Sequence, residues 1–258
     1  MDEKKAVAKV EKGGALARQT KFAALDTSPD EVRSIVAMNL QGRKVSAFDL
    51  ARIKVPAGET THWSVRTLDG PQAHETIEGI VLHSRDLRAF WTELDPTGKP
   101  PDCKSDDGLS GMGVRWADDD PTSPHDCSQC KWGQFESDPR GKRGQYCKQM
   151  LAIFILMPDT FLPTVIFMPP TSIKTTRDYL YRMAHFGVLH YSAVTRFALA
   201  PDKNPDGKPY NRVECSRGEQ LKKETIPKVR AYIDLVLPSL SAVEITSDDV
   251  GPDIKEEG

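Results

Sequence analysis

The sequence predicts an α+β fold that is mainly β, and three observations indicate it. Met150–Met157 and Leu162–Met168 are apolar runs rich in Ile, Leu, Val and Phe, separated by a Pro158-Asp159 turn. Further strand-like segments precede and follow this pair, with one amphipathic helical segment before the last two. A loop-rich stretch holding four cysteines separates the first strand from the second. The predicted strands are 75–83, 149–157, 162–168, 190–199 and 210–215.

The order of these elements predicts an OB-fold-like five-stranded barrel, in which the helix lies between the third and fourth strands. The cysteine-bearing insertion, at about residues 92–148, then connects strands 1 and 2. In such barrels this connection flanks the face that binds oligonucleotides. Another α+β sheet with the same element order is the alternative, because order alone does not determine strand pairing.

Helix signals flank and divide this pattern. Ser28 can cap a first helix, with Pro29 in its first turn and Glu31 completing a capping box, and Gly42 ends it. A second helix begins at Thr171 or Ser172 and ends at Gly187, and the last spans about 218–237 with a bend at Pro227. Residues 48–56 form an extended segment, residues 62–66 have the pattern of a strand, and residues 85–91 lead out of the sheet into the insertion.

The chain is divided by composition into one domain and two terminal segments. Residues 1–20 hold few large apolar side chains and are predicted to be a flexible arm. Residues 21–246 form the single domain with its insertion, since 258 residues suffice for one substantial core. Residues 247–258 are predicted to be a disordered acidic tail.

The four cysteines Cys103, Cys127, Cys130 and Cys147 predict one structural Zn²⁺ site. They are separated by 23, 2 and 16 residues, and two residues between thiolates let one turn present both sulfurs to a single ion. Four thiolates close the tetrahedral shell, so a catalytic water has no place. Disulfides are disfavoured by the odd number of five cysteines. A reactive dithiol and the replacement of one sulfur by His125 remain open.

The net charge of -2 gives the chain no overall electrostatic attraction to nucleic acid, so any such binding must come from a local basic surface. The segment from Lys131 to Lys148, however, contains five Lys or Arg and two acidic residues. The segment from Glu244 onward contains six acidic residues and one Lys. Apolar runs of membrane-spanning length and a secretory signal core are both missing from the sequence. The protein is therefore expected to be soluble and intracellular.

The insertion interleaves basic and aromatic side chains, the pattern of a groove for single-stranded nucleic acid. The predicted binding residues are Lys131, Trp132, Phe135, Arg140, Lys142, Arg143, Tyr146 and Lys148, extended by Lys174, Arg177, Arg182 and Arg196. Trp132 is the expected stacking platform. The acidic tail could recruit replication or recombination proteins, and self-association is left open. DNA and RNA are not distinguished by this pattern.

Three other functions compete with single-strand binding. A zinc nucleobase deaminase is suggested by Pro124 to Cys130, but the sequence offers no His or Cys followed at the required spacing by the catalytic Glu. A duplex-specific zinc protein would need a recognition helix after the cysteines. A zinc-stapled adaptor would show the same cysteines and fold. We predict no catalytic residue and no enzymatic activity.

Several sequence blocks, taken in their order along the chain, carry a family resemblance. The blocks are Phe48-Asp49-Leu50, Arg52 to Pro56, Ile77 to Ile80, Arg88 to Trp91, Pro100 to Cys103, the Cys127 and Cys130 pair, Gly144 to Lys148, and Leu162-Pro163 to Pro169–Ser172. They resemble a largely uncharacterised family of four-cysteine proteins encoded by bacteriophages and integrative mobile elements, over about residues 48–237. The resemblance implies a role in DNA replication or recombination in the cytoplasm of a bacterial host cell, and it supplies no catalytic residues.

Overall fold

The computed structural model describes residues 21–41, 50–58, 60–94, 96, 99–141, 144–204 and 207–250. The helices are α1 (Ala23–Asp26), α2 (Pro29–Asn39), α3 (Pro170–His185) and α4 (Thr225–Ser241). The strands are β1 (Ala51–Lys54), β2 (Trp63–Thr67), β3 (Gly70–His74), β4 (Thr76–Phe90), β5 (Cys103–Ser105), β6 (Ser110–Gly113), β7 (His125–Asp126), β8 (Lys148–Leu156), β9 (Thr164–Met168), β10 (Ala193–Lys203) and β11 (Pro209–Gln220). The α+β class, with a mainly β core, is as the sequence predicts.

The long strand β4 organises the sheet, because it pairs with three other strands. One edge pairs antiparallel with β8 from Ile80 to Ala89. The opposite edge pairs with β10 at Thr76–Gly79 and with β5 at Arg88–Phe90. The β10–β11 hairpin and the cysteine-bearing strands therefore lie at opposite ends of β4. The expected exit from the sheet at Arg85 is wrong, since β4 continues to Phe90.

The sheet is open and mixed, so the predicted closed barrel is wrong. A closed barrel would require β11 to pair with the edge of β9 that does not pair with β8. That edge pairs instead with β1, in parallel. Within the described ranges, β11 has β10 as its sole strand partner. On the other edge of β11, side chains of α3 form hydrogen bonds with the main chain of Val213. Its N–H donates to Ser172 Oγ at 2.9 Å, and its carbonyl oxygen accepts from Thr175 Oγ1 at 2.8 Å. The first turns of α3 therefore lie along the edge of β11 that would pair with β9 in a closed barrel.

Both faces of the central strands are covered. Phe154 and Phe167 pack on one side in a cluster with Phe22 beside α1 and with Tyr232 and Leu240 of α4. On the other side, the core includes Trp63 of the β2–β3 hairpin and Ile173 of α3. Every residue of β9 is buried. The face that an OB barrel uses for oligonucleotides is therefore closed to solvent here.

Local helix signals are partly confirmed. Ser28 and Glu31 form the predicted capping box of α2. The last helix begins at Thr225 rather than 218, because β11 runs to Gln220. Pro227 lies in the first turn of α4, where its missing N–H costs no helix hydrogen bond, so it does not mark the predicted bend.

The two terminal predictions fall mostly outside the described residues. The arm at 1–20 and residues 251–258 of the acidic tail are not described. Residues 247–250 are placed, and Asp249 is buried, so these four belong to the folded part rather than to a disordered tail. In the described part, no helix has both the length and the apolar character needed to cross a membrane.

Candidate metal centre

The four predicted cysteines are held by short strands and turns at the far end of β4. Cys103 begins β5 and pairs with Phe90. Cys127 follows β7, and its N–H donates to Leu109 O at 2.8 Å. Cys130 precedes a 3₁₀ turn, and its N–H donates to Cys127 O at 3.3 Å. Cys147 N–H donates to Trp132 O at 2.8 Å just before β8. Main-chain hydrogen bonds therefore set the position of each cysteine.

All four thiols line one small cavity, which His125 also lines. Each cysteine is between 6% and 7% exposed, and none is in a disulfide. The cavity volume is about 10 Å³, which is close to the space of a single water molecule or ion. The structure therefore brings the predicted ligands together around a space of suitable size.

Burial shifts the pKa values of two cavity thiols upward. Burial, reinforced by the neighbouring thiols, raises the pKa of Cys103 to about 12. Burial also raises the pKa of Cys147 to about 12, against the opposing effect of Arg88. Without a cation these thiols stay protonated at neutral pH. A bound divalent metal would offset the negative charge and release the protons.

Two arginines beside the cavity fit a site that carries negative charge. Arg88 Nε donates to Gly108 O at 3.0 Å, while its buried Nη1 has no hydrogen-bond partner within the part of the chain that is described. Arg115 is held by Asp119 at 2.9 Å and lines the same cavity. A Zn²⁺ ion with four thiolates has a net charge of about -2, which these guanidinium groups would balance.

The thiols do not yet have the geometry of a bound metal. Among the described residues, no group of three or more His, Cys, Asp and Glu side chains stands at metal-binding spacing. The donor types, the cavity and the unpartnered Arg88 nitrogen fit Zn²⁺, but the ion itself stays a prediction. Bound Zn²⁺ would be held by Cys103, Cys127, Cys130 and Cys147 and would cross-link β5, the β7 turn and the start of β8.

His125 and two glycines are parts of this site that spacing alone did not assign. His125 Nε2 lies 3.2 Å from Cys103 Sγ. Burial, and then Arg115, lower the pKa of His125, which favours the neutral ring that can bind metal. A Cβ on Gly111 would stand 2.6 Å from His125 Nε2, and a Cβ on Gly113 only 2.1 Å from Asp102 O. Both glycines are therefore needed for the close approach of these strands.

The predicted stacking residue Trp132 packs within the protein. Its ring stacks with Phe90 at 5.5 Å and with Trp116 at 6.1 Å, and Lys131 Nζ lies 5.0 Å from its centroid. Tyr146 is buried and its hydroxyl donates to Thr92 O. Both rings therefore contribute to the core of the cysteine module, which we define as residues 91–148. This packing leaves little of the Trp132 ring for a base.

The most solvent-exposed aromatic rings of the module are those of Phe135 and Trp116, not those of Trp132 and Tyr146. Phe135 is 77% exposed, as its predicted role requires. Trp116 is 37% exposed, and the Arg115 guanidinium lies 4.6 Å from its ring. Sequence reasoning missed Trp116, although the adjacent Arg115-Trp116 pair was a usable signal. Phe135 and Trp116 are therefore the rings that a ligand could reach.

The predicted cations are dispersed, and several bind acids. Arg140 pairs with the buried Asp138, Arg177 with Asp86, and Arg196 with Glu78. Arg196 lies opposite Glu78 on β4, about 33 Å along the strand from Arg88 at about 3.3 Å per residue. Of the remaining positions, Lys131, Lys174 and Arg182 are exposed, Lys148 is half-buried, and Lys142 and Arg143 lie outside the described residues.

Comparison with known proteins adds no family to this picture. No family model matches the chain. No curated protein and no solved structure matches it either. The resemblance to a mobile-element family therefore stays a prediction from the sequence blocks.

Proposed function

We propose that this protein binds single-stranded DNA through its cysteine module, without catalytic turnover, as part of DNA replication or recombination in a phage or mobile element. The observation that carries the proposal is the pairing of exposed rings with cations on a scaffold anchored by four buried cysteines. Phe135 and Trp116 supply the rings; Arg115 directly precedes Trp116 in the chain, and Lys131 lies four residues before Phe135. The last part, the biological context, rests on the family resemblance.

The covered sheet moves the proposed surface away from the usual OB position. Because β8 and β9 are buried on both faces, a ligand can reach the module and the exposed side of α3, but not the central strands. Arg177 of α3 binds Asp86, close to Gly108 of the module. Lys174 and Arg182 could therefore extend a basic track from the module along α3.

Single strands are the favoured substrate because their bases are free to stack. A base stacked on an aromatic side chain contributes about 1–3 kcal/mol, and the contact is tolerant of sequence. Because several of the arginines are already paired with acidic side chains, we expect only moderate attraction between the protein and the phosphates of DNA. Zn²⁺ would act as a structural cross-link that holds the rings in place, with its coordination closed to substrate.

Titration of fluorescent oligonucleotides at two salt concentrations tests the proposal. Single-stranded DNA should bind more tightly than duplex, and its affinity should fall with salt as counterions are released. A single-stranded RNA of the same sequence decides between the two nucleic acids. Absence of binding to both single strands at low salt would overturn the proposal, and so would a sequence-specific preference for duplex.

A zinc-stapled adaptor is the second candidate, and exposed apolar side chains favour it. Leu109 is 71% and Met112 48% exposed, both in the cysteine module with Trp116. Exposed apolar patches are typical of protein contacts. This function predicts binding that is nearly independent of salt and needs no nucleic acid, so the same titration separates the two.

A further inference from the structure

The cavity of the cysteine module offers one donor more than tetrahedral Zn²⁺ requires. Four thiols and one imidazole line it, whereas structural Zn²⁺ sites use four ligands. Two of these five donors are already neighbours, since Cys103 Sγ and His125 Nε2 are 3.2 Å apart.

The distance between these two atoms is that of two ligands on one ion. Zn–S and Zn–N bonds of about 2.3 Å and 2.0–2.1 Å at a tetrahedral angle place sulfur and nitrogen about 3.6 Å apart. The observed separation is within a few tenths of an ångström of that value. Both atoms therefore lie close enough together to face the same ion, and a tetrahedral shell that already holds Cys127, Cys130 and Cys147 has one position left, which only one of them can fill.

The backbone also makes room for the imidazole. Gly111 of β6 pairs directly with His125 of β7. A Cβ on Gly111 would lie 2.6 Å from His125 Nε2 and 3.2 Å from Cys127 Sγ. The missing side chain at Gly111 is thus the space through which His125 reaches the cysteines.

Cys103 is the cysteine that His125 contacts. Its Sγ forms the 3.2 Å contact with His125 Nε2, whereas Cys127 and Cys130 lie together on one turn, where Cys130 N–H donates to Cys127 O at 3.3 Å. Cys103 is therefore the ligand that the imidazole is placed to replace.

We propose that Cys103 and His125 are alternative ligands for the fourth position of one Zn²⁺ that Cys127, Cys130 and Cys147 hold permanently. This inference rests on the structural Zn²⁺ of the proposed function. In the exchange the Zn–S bond to Cys103 would break, the released thiolate would take one proton from a water molecule and leave hydroxide in solution, and the lone pair of His125 Nε2 would form the Zn–N bond. The centre changes from four thiolates to three thiolates and one imidazole, and its net charge rises by one.

Co²⁺ substitution in the full chain tests the exchange, because its visible and near-ultraviolet absorption reports the number of bound thiolates. Cys103→Ala should keep one Co²⁺ per chain with the spectrum of three thiolates and one imidazole. His125→Ala should keep one Co²⁺ with four thiolates. The double variant should lose tight binding, as should Cys127→Ala, which is the matched control. Loss of metal from Cys103→Ala as complete as that from Cys127→Ala would overturn the inference.

A measurement on the unaltered protein avoids variants that fail to fold. Cadmium-113 NMR of the Cd²⁺-loaded chain should show a signal for four thiolates and a signal for three thiolates with one imidazole, or their exchange average. A single resonance at the four-thiolate position, identical in His125→Ala, would contradict the exchange while leaving the metal centre intact. A wild-type chain that binds neither Co²⁺ nor Cd²⁺ would overturn the metal centre and this inference together, whereas DNA binding would be judged separately by titration.

Discussion

Arg52 of the edge strand β1 and Asp249 near the end of the described chain form an ion pair across 197 positions of sequence. The Asp249 side chain is 1% exposed, and it also accepts hydrogen bonds from Thr246 N–H and Thr246 Oγ1. Glu244 in the same segment binds Lys104 of β5. The segment after α4 therefore ties the edge of the sheet to the cysteine module. A test of the acidic tail must remove residues after Val250 only, since a cut after Thr246 would delete this ion pair.

Asp249→Asn should lower the free energy of unfolding by about 1.5–3 kcal/mol, because it removes the negative charge from the ion pair with the partly buried Arg52. Urea denaturation followed by circular dichroism measures the change. Asp248→Asn is the matched control, since Asp248 is exposed and adjacent. Equal midpoints for the two variants would show that the ion pair contributes nothing.

Ser172→Ala should destabilise the protein by about 1–3 kcal/mol, because the buried N–H of Val213 would lose its acceptor. Ser172 is fully buried at the start of α3, where it satisfies the open edge of β11. Thr171→Ala, at the exposed neighbouring position, should change stability by only a few tenths of a kcal/mol. Hydrogen exchange at Val213 should accelerate in the first variant and not in the second.

Freshly purified, reduced protein should contain one Zn²⁺ per chain by elemental analysis. The variant with Cys127→Ser and Cys130→Ser should contain none, because both replaced thiolates lie on one turn of the shell. Cys215→Ser should retain the metal, since Cys215 lies on β11 beside Thr176 of α3. Chelation should increase hydrogen exchange first in 91–148 and only later in β8 and β9. Full zinc in the double variant would refute the assignment.

Phe135→Ala and Trp116→Ala should each weaken single-stranded DNA binding by about 1–3 kcal/mol if a base stacks on the removed ring. Trp132→Ala should instead lower the stability of the cysteine module, because that ring packs against Phe90 and Trp116. Met38→Ala provides a control of similar exposure outside both the module and α3, since Met38 is 70% exposed on α2. Unchanged affinity in both module variants would remove stacking from the proposed function.

Stability should decline in acid partly through Asp138. The hydrogen bond from Arg140 lowers the pKa of Asp138 from 3.8 to about 2. A carboxyl group whose pKa is depressed in the folded state stabilises the protein above the unfolded pKa and loses that contribution as pH falls through the folded one. Between pH 4 and 2, Asp138→Asn should therefore lose less stability than wild type. Glu136→Gln, at an exposed position, should follow the wild-type curve.

Local patterns in the sequence determined the identity and order of most elements. The capping box at Ser28 and Glu31 depends on residues three apart, and the apolar runs around Pro158 depend on alternation and turn residues, so both could be predicted within one segment. The same holds for the cysteines: the two-residue spacing of Cys127 and Cys130 indicates one turn, and the four thiols line a common cavity. Whether Zn²⁺ occupies that cavity stays a prediction.

Tertiary structure alone decided how these elements join and which side chains remain free. Barrel closure depended on whether β1 or β11 pairs with the edge of β9, and strand pairing over such separations leaves no local signal. The residues next to Trp132 in the sequence are polar, which is typical of an exposed ring. In the structure, Phe90 of β4 and Trp116 of another loop pack against the ring. Cys103 and His125 are 22 residues apart, and only the pairing of β5 with β6 and of β6 with β7 brings them into contact. The sequence determines the donors and the strands, whereas the contacts between them follow from long-range packing.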